Sequence, residues 1–389
     1  MWLARADVFV ILAVATYGGE KSMKLAKVTI DNFRHIEHLE LDFTDSFGRV
    51  RDVSLIVGPN MCGKTTILDA MAAALGPMTQ LPTLRPGFKL SPKAVVRRNT
   101  LCAKVTCEVR FTEEEISATQ ELFTLAEDPA RVKDQKSVKL TWTYPDAEHK
   151  YGHCNTNPNG AWPLFQGRLR AARLLSTRRT GLGSFRKVGG IFTFDQQRSG
   201  MGKSIPPQIL EIIGGTTPEN LGDPEGGRIS DPRTILLSLW VRSMAEPADP
   251  TSAGDFALIK EKYAEICHPH KIIGATRDEV GELDLEFGDG KYSYGYDGLS
   301  SGEQMALLLL IRMVTDHIHQ SIVLIDEIEL HQHPTWQRKL LHLVPQMGQG
   351  NQVIATTHSP YLRDVMPPGT VIELGELEDS SLTRPQPHG

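Results

Sequence analysis

Val53-Ser-Leu-Ile-Val-Gly-Pro-Asn-Met-Cys-Gly-Lys-Thr-Thr66 decides the fold class, because an apolar strand, Val53 to Val57, runs straight into a loop of the form GxxxxGK[ST]. The loop comprises Gly58, Pro59, Asn60, Met61, Cys62, Gly63, Lys64 and Thr65, with Thr66 after it, and a helix-forming stretch reaches on to Leu75. Gly58 and Gly63 let the backbone curl so that several N–H groups point at phosphates. Lys64 can then reach the β/γ oxygens, and the Thr65 hydroxyl can hold Mg²⁺. The helix that follows turns its N-terminus toward the anion. A strand, a glycine-rich cradle and a helix in this order predict an α/β fold that binds a nucleotide with Mg²⁺.

Two other apolar strands end in polar groups. Ser321-Ile-Val-Leu-Ile-Asp-Glu327 closes on two acids, and Gln352-Val-Ile-Ala-Thr-Thr-His-Ser359 closes on a histidine. Open α/β sheets bind ligands beyond the carboxyl ends of their strands, so this repeated geometry predicts one shared site. Asp326 is placed to bind the Mg²⁺ shell, and Glu327 beside it to orient and deprotonate the attacking water. His358 is placed to sense the γ-phosphate. In LSSGEQ, Leu299 to Gln304, the residues Ser300, Ser301 and Gly302 precede a predicted helix from Glu303 to Ile318. Its free N–H groups can bind a phosphate, and the same residues equally suit a plain helix cap. Near the start, the alternation of Leu25, Val28 and Ile30, then Ile36, Leu39, Leu41 and Phe43, predicts two antiparallel strands with Asn32-Phe-Arg34 in the turn between them.

Composition bounds the rest. The 389 residues are 40% hydrophobic, enough for a sizeable core in one large or two joined domains. A net charge of −5 excludes a polycation, so nucleic-acid contact would have to come from a local patch. Two stretches offer one: Arg168 to Lys187 holds seven basic residues and no acid, and Arg85 to Arg110 holds seven against Glu108 alone. They can bind DNA or RNA phosphates, or pair with acids such as Glu113 to Glu115; on sequence both readings stand. The five cysteines form no CxxC pair and read as free thiols in a reducing, cytoplasmic compartment. Cys267-His-Pro-His270 with His153-Cys154 offers zinc-type side chains but fits no regular zinc spacing. The apolar run Val8 to Ala15 resembles a short signal-peptide core and is too short to span a bilayer. With Asp7 where a signal would be basic and a natural strand start at Met23, residues 1–22 are expected to be an extension or an upstream start choice rather than a targeting signal, with no membrane insertion.

Phosphate loop, LSSGEQ, acidic strand and TTHSP, in that order, resemble the ABC-type ATPase heads. Glu329-Leu-His-Gln-His-Pro-Thr-Trp-Gln337 resembles the ELHLHPxWQ run of the SMC-like and OLD-like branch, which contains RecF, double-strand-break repair ATPases and bacterial anti-phage ATPases. The opening Lys24 to Arg34 resembles the same branch, in which an Asn-Phe-Arg-like turn lies near the nucleotide, implying a role for Asn32 and Arg34. The resemblance covers roughly residues 23–75 and 290–370. It implies a homodimer that sandwiches two ATP molecules, with Ser300 and Gly302 of one subunit on the γ-phosphate held by Lys64 and Thr65 of the other. It also implies a glutamine that touches Mg²⁺ or the attacking water, for which Gln196 and Gln197 in Phe192-Thr-Phe-Asp-Gln-Gln-Arg198 are candidates, as are ordinary loop roles.

Between the motifs no heptad repeat is sustained, which excludes a long coiled coil. Helices are expected over Phe111 to Asp128, Asp231 to Met244 and Asp255 to Cys267. The expected organisation is a P-loop ABC-type head with a mixed sheet core and N-terminal antiparallel strands (23–75 and 290–370), an inserted mainly helical lobe (76–289) and a tail (371–389). Only 31 residues follow His358, too few for a C-terminal TOPRIM nuclease. That leads to the expectation of a separate nuclease or toxin subunit, a pattern similar to the Septu-type anti-phage ATPases.

Overall fold

β3 (Val53–Val57) lies inside a five-stranded sheet of order β13-β3-β12-β11-β7, in which every neighbouring pair is parallel. Its companions are β7 (Ile191–Phe194), β11 (Ile322–Ile325), β12 (Gln352–Thr357) and β13 (Val371–Glu373). All of β11 and β12 is buried, which is why both read as unbroken apolar runs: a parallel sheet is covered on both faces. Alternation assigns the faces. Ile322 and Leu324 enter one core, and Val323 and Ile325 enter the other. The computed structural model describes residues 23–79, 88–177, 179–195, 232–244, 250–277, 283–329, 332–367 and 369–375. The expected extension 1–22, Arg85, Gln196 and Gln197, and most of the expected tail lie outside them.

On the first face, helix α1 (Lys64–Thr79) is packed between this sheet and an antiparallel one of order β2-β1-β4-β5-β6. That second sheet comprises β1 (Lys24–Phe33), β2 (Ile36–Asp42), β4 (Ala103–Arg110), β5 (Ser137–Tyr144) and β6 (His153–Asn157), with the short α2 (Pro92–Val95) before β4. Because α1 is enclosed by sheets, it is apolar almost all round rather than amphipathic, with Ile67, Met71 and Ala74 among its buried residues. The other face is covered by α5 (Pro232–Met244), α6 (Pro250–Ile266), α7 (Ser301–Thr315) and α8 (Pro334–Leu343), with α9 (Pro360–Val365) adding Leu362 to the same core. A small sheet of β8 (Lys271–Arg277), β9 (Leu283–Gly288) and β10 (Ser293–Tyr294) completes that layer. A third, smaller core joins α3 (Glu113–Leu125) to α4 (Gly167–Ser176).

The interval expected to be mainly helical contributes strands to both principal sheets. β4 pairs with β1 along Lys24–Asp31, and β7 pairs with β11 register for register from Ile322↔Ile191 to Ile325↔Phe194. The physical reason is that β1 and β11 each present a second hydrogen-bonding edge, which an unpaired buried strand cannot leave bare. Among the described residues no helix is long and apolar enough to cross a membrane.

Candidate functional site

The parallel register of β3, β12 and β11 brings three loops to one end of the sheet. There a cavity of about 390 Å³ is lined by His35, by Asn60, Met61 and Gly63 to Thr66 of the phosphate loop, and by Glu327 and His358. The loop is tightly wound. Met61 has φ 68° and Gly63 has φ 101°, and a Cβ added at Gly63 would sit 2.4 Å from His35 Nε2, so only glycine fits between the loop and that ring. Burial and the neighbouring Arg34 charge push the His35 pKa down, keeping the imidazole neutral. At Gly58 an added Cβ would meet Cys62 Sγ at 2.6 Å.

Lys64 Nζ donates to the carbonyls of Gly58 (2.8 Å) and Pro59 (2.7 Å), so its ammonium is folded onto the mouth of its own loop. Thr65 Oγ1 donates to Asp326 Oδ2 at 2.8 Å. The other carboxylate oxygen, Oδ1, accepts from Thr356 Oγ1 at 2.6 Å, and Thr356 Oγ1 in turn accepts from the Glu327 N–H at 2.8 Å. One buried hydroxyl on β12 therefore holds both acids that follow β11. Glu327 has φ 46°, a left-handed conformation that costs a non-glycine residue about 1–3 kcal/mol and persists only where surroundings fix it. Burial, then the Asp326 charge, push the Glu327 pKa up, with His358 and Lys64 opposing. Such a carboxylate is a stronger base than an ordinary glutamate. His358 is held through Glu329, whose Oε1 accepts from the His358 N–H at 2.7 Å and lies 2.9 Å from its Nδ1.

The turn after β1 is arranged differently from the expectation. Asn32 has φ 55° and spends its carbonyl on the Arg97 N–H (2.9 Å). Arg34 is drawn onto α1, where Nη1 donates to Asp69 Oδ2 at 2.7 Å and the guanidinium lies over the Phe33 and Phe88 rings. His35 is the residue of this turn on the cavity wall. The alternation of β1 and β2 does not reveal it, and Gly63, which His35 abuts, is already explained by the phosphate-loop pattern.

Ser300, Ser301 and Gly302 do not line this cavity. Ser300 forms a reciprocal cap on α7: its side chain accepts from the Glu303 N–H (3.3 Å), while Glu303 Oε2 accepts from the Ser300 N–H (2.9 Å) and Oγ (2.7 Å). Glu303 Oε1 accepts from Tyr263 (3.0 Å) and Tyr294 (2.9 Å) and lies 2.7 Å from His270 Nδ1. The zinc-type grouping raised by sequence is therefore dispersed: His270 serves Glu303, and the Cys154 thiol points at the Ala74 carbonyl, 3.9 Å away.

Several residues of the two basic stretches are already engaged within the chain. Arg168 is buried between the Phe185 and Phe192 rings and donates to the Asp316 and His317 carbonyls. Arg170 pairs with Asp128 (2.5 Å) and Arg179 with Glu127 (2.7 Å), acids at the end of α3. In the other stretch, Arg97 pairs with Glu37 at 2.7 Å, and Lys104 is exposed on the outward face of β4. For Arg170 and Arg179 the pairing reading is the observed one, since each guanidinium meets an acid just past α3, whereas Arg168 is taken up by backbone carbonyls and two aromatic rings.

Comparison with known proteins adds three findings. A family model described as "AAA ATPase domain" matches residues 23–151, and one described as "AAA domain, putative AbiEii toxin, Type IV TA system" matches residues 203–364. The Septu protein PtuA of Bacillus thuringiensis is 39% identical over 64 residues, so the match spans 16% of this chain and 16% of that protein. An Smc head solved with the C-winged helix domain of ScpA superposes with a TM-score of 0.50 at 14% identity, covering 90% of this chain and 93% of that one. The SMC head domain from Thermotoga maritima gives 0.43 at 14%, over 90% and 95%. The phosphate loop lies inside the first matched segment and LSSGEQ, the acids and His358 inside the second, so the chain is similar to AAA ATPase domains over both segments and has an SMC-head-like fold.

Proposed function

We propose that this chain hydrolyses ATP within a head-to-head homodimer and uses the cycle to control a separate nuclease or toxin subunit in anti-phage defence. The observation that carries the hydrolytic part is the convergence of Thr65 and Thr356 on Asp326, with Glu327 beside them in the cavity that Lys64 lines. The hydroxyl of Thr65 and the carboxylate of Asp326 are hard oxygen donors side by side, a donor set that suits Mg²⁺. When bound there, Mg²⁺ supplies charge neutralisation for the β- and γ-phosphates. Lys64 exchanges its two loop carbonyls for phosphate oxygens. Glu327 accepts a proton from the attacking water at its carboxylate. His358, steadied by Glu329, faces the same space and reports whether the γ-phosphate is present.

Dimerisation is supported by what the cavity lacks: the LSSGEQ turn is exposed at Ser300 and Ser301 and stands outside its own chain's cavity, so a phosphate it meets belongs to another copy. Removing the γ-phosphate then removes contacts that exist only in the triphosphate state, and the dimer opens through differential affinity. The defence context rests on the local similarity to PtuA, and the toxin alternative on the wording of the second family description. Glu327→Gln keeps the shape of the site and removes the base. It is expected to retain ATP and accumulate as a dimer in light scattering, whereas a monomer unchanged by ATP would sink the proposal.

A further inference from the structure

At the edge of the antiparallel sheet opposite β2, the turn between β5 and β6 gathers Asp146, His149 and His153. One ligand atom from each lies within 4.8 Å of the others, and among the described residues no other set of three His, Cys, Asp or Glu side chains converges in this way. We propose that this trio binds one divalent transition-metal ion of the zinc class. Two imidazoles and one carboxylate are the donor set such ions take, and three protein ligands leave a fourth position to water.

The trio is held by structure rather than by chance proximity on a loose turn. Trp142, fully buried in β5 and stacked on Tyr144 (5.6 Å between ring centres), donates its indole N–H to the Tyr151 carbonyl at 2.8 Å. Gly152 adopts φ 87° where an added Cβ would lie 2.4 Å from that indole nitrogen, so the chain is pressed against Trp142 just before His153. His153 then starts β6, paired across to Thr143. Its Nε2 lies 3.0 Å from Asn155 Oδ1; if the amide oxygen accepts the proton on Nε2, the lone pair is left on Nδ1. The two imidazole rings lie side by side, 4.9 Å apart between centres.

Asp146 already has a role in the turn. Its Oδ1 accepts from the N–H groups of Glu148 (3.0 Å) and His149 (2.9 Å), and His149 Nδ1 lies 2.7 Å from the same oxygen. A carboxylate has two oxygens, so Oδ1 can keep the turn's N–H groups while Oδ2 serves an ion. The three ligand atoms, all within 4.8 Å of one another, need only side-chain rotation to close on one metal shell.

The test uses the full chain, reduced and freed of any affinity tag, titrated with Zn²⁺ by calorimetry and with Co²⁺ by visible absorption. Wild type is expected to take up one more ion than His149→Ala/His153→Ala, with Asp146→Asn weakened by about 10–100-fold. The five thiols are common to all three proteins, so their background cancels. Hydrogen exchange across 145–153 is expected to slow on adding Zn²⁺ in wild type alone. Equal stoichiometry and affinity in wild type and the double variant, with both folded by circular dichroism, would overturn the proposal.

Discussion

Thr356 is the residue on which the two acids depend, and replacing it with valine isolates that dependence. The hydroxyl is fully buried, donates to Asp326 Oδ1 at 2.6 Å and accepts from the Glu327 N–H at 2.8 Å. Valine fills nearly the same volume, so the loss is polar and not a cavity. A hydrogen bond to a carboxylate contributes about 1.5–3 kcal/mol, and stranding a sheltered N–H costs about 1–3 kcal/mol, together about 2.5–6. Relaxation of the loop after β11 trims this toward the lower half, so Thr356→Val is expected to lose about 3 kcal/mol of stability. Thr356→Ser keeps the hydroxyl and forfeits one methyl, about 1 kcal/mol. Thr356→Val also loosens Asp326 and the φ 46° backbone of Glu327, and removing a group that orients a metal ligand lowers activity by about 10–100-fold. Urea unfolding and phosphate release across a Mg²⁺ titration read the two effects separately. If the valine variant matches the serine variant in stability and hydrolyses ATP at the wild-type rate with an unchanged Mg²⁺ requirement, then Thr356 does not hold the acids and the reasoning fails.

Three further outcomes are expected. Glu327 must be ionised to act as a base and its pKa is raised, so the acid limb of the hydrolysis profile should lie above the ordinary glutamate value of 4.5; Glu329→Gln, which removes one of the charges raising it, should move that limb to lower pH in steady-state assays. Glu115 is buried and its pKa is pushed up to about 8 from 4.5, by burial above all. The native state therefore keeps a proton that the unfolded chain releases, stability is fully present below about pH 4.5 and is lost as pH rises through about 8, and Glu115→Gln should flatten that decline in thermal melts. Arg168→Ala should cost about 3 kcal/mol in urea unfolding, because it opens a space between two rings and strands two carbonyls, while Lys187→Ala should stay within about 0.5 kcal/mol; equal effects would mean that Arg168 is a surface residue after all.

The parts of the fold that were legible in sequence are those in which burial is continuous along the chain. β3, β11 and β12 announce themselves as apolar runs because both faces of a parallel sheet are covered, and each carries its functional residue just past its end. β4 shows why other parts were not. Ala103, Val105, Cys107 and Val109 are all fully buried, and the residues alternating with them, Lys104, Thr106, Glu108 and Arg110, are not. Read for charge, that stretch is a basic cluster; read for period two, it is a strand whose charges are its outer face. Arg168 was opaque for a different reason. Its hydrogen-bond acceptors, the carbonyls of Asp316 and His317, lie about 150 residues further along the chain, and nothing local distinguishes a guanidinium that will be sandwiched by Phe185 and Phe192 from one that will face a phosphate. Thr356 falls between these cases: it sits in the quoted TTHSP, but its importance follows only from the register that sets β12 beside β11.

The same register explains how two distant motifs of one chain are mechanically joined. The Gly302 carbonyl, in the LSSGEQ turn, accepts from Gln332 Nε2 at 2.8 Å; the Gln332 carbonyl accepts from Gln337 Nε2 at 3.0 Å; and Gln337 Oε1 accepts from Ser359 Oγ at 2.9 Å, the residue after His358. Gln332 and Gln337 are both buried, so water cannot easily replace a bond that lengthens, and a shift at one end must be answered along the chain. In the proposed dimer each LSSGEQ turn meets the phosphate of the partner while each His358 faces the phosphate of its own chain. In such a dimer this chain of hydrogen bonds would tie the state of one cavity to the grip on the other. In that dimer the arrangement favours two sites that open together, since a shift of the turn or of Ser359 strains the Gln332 and Gln337 amide bonds that lie between them.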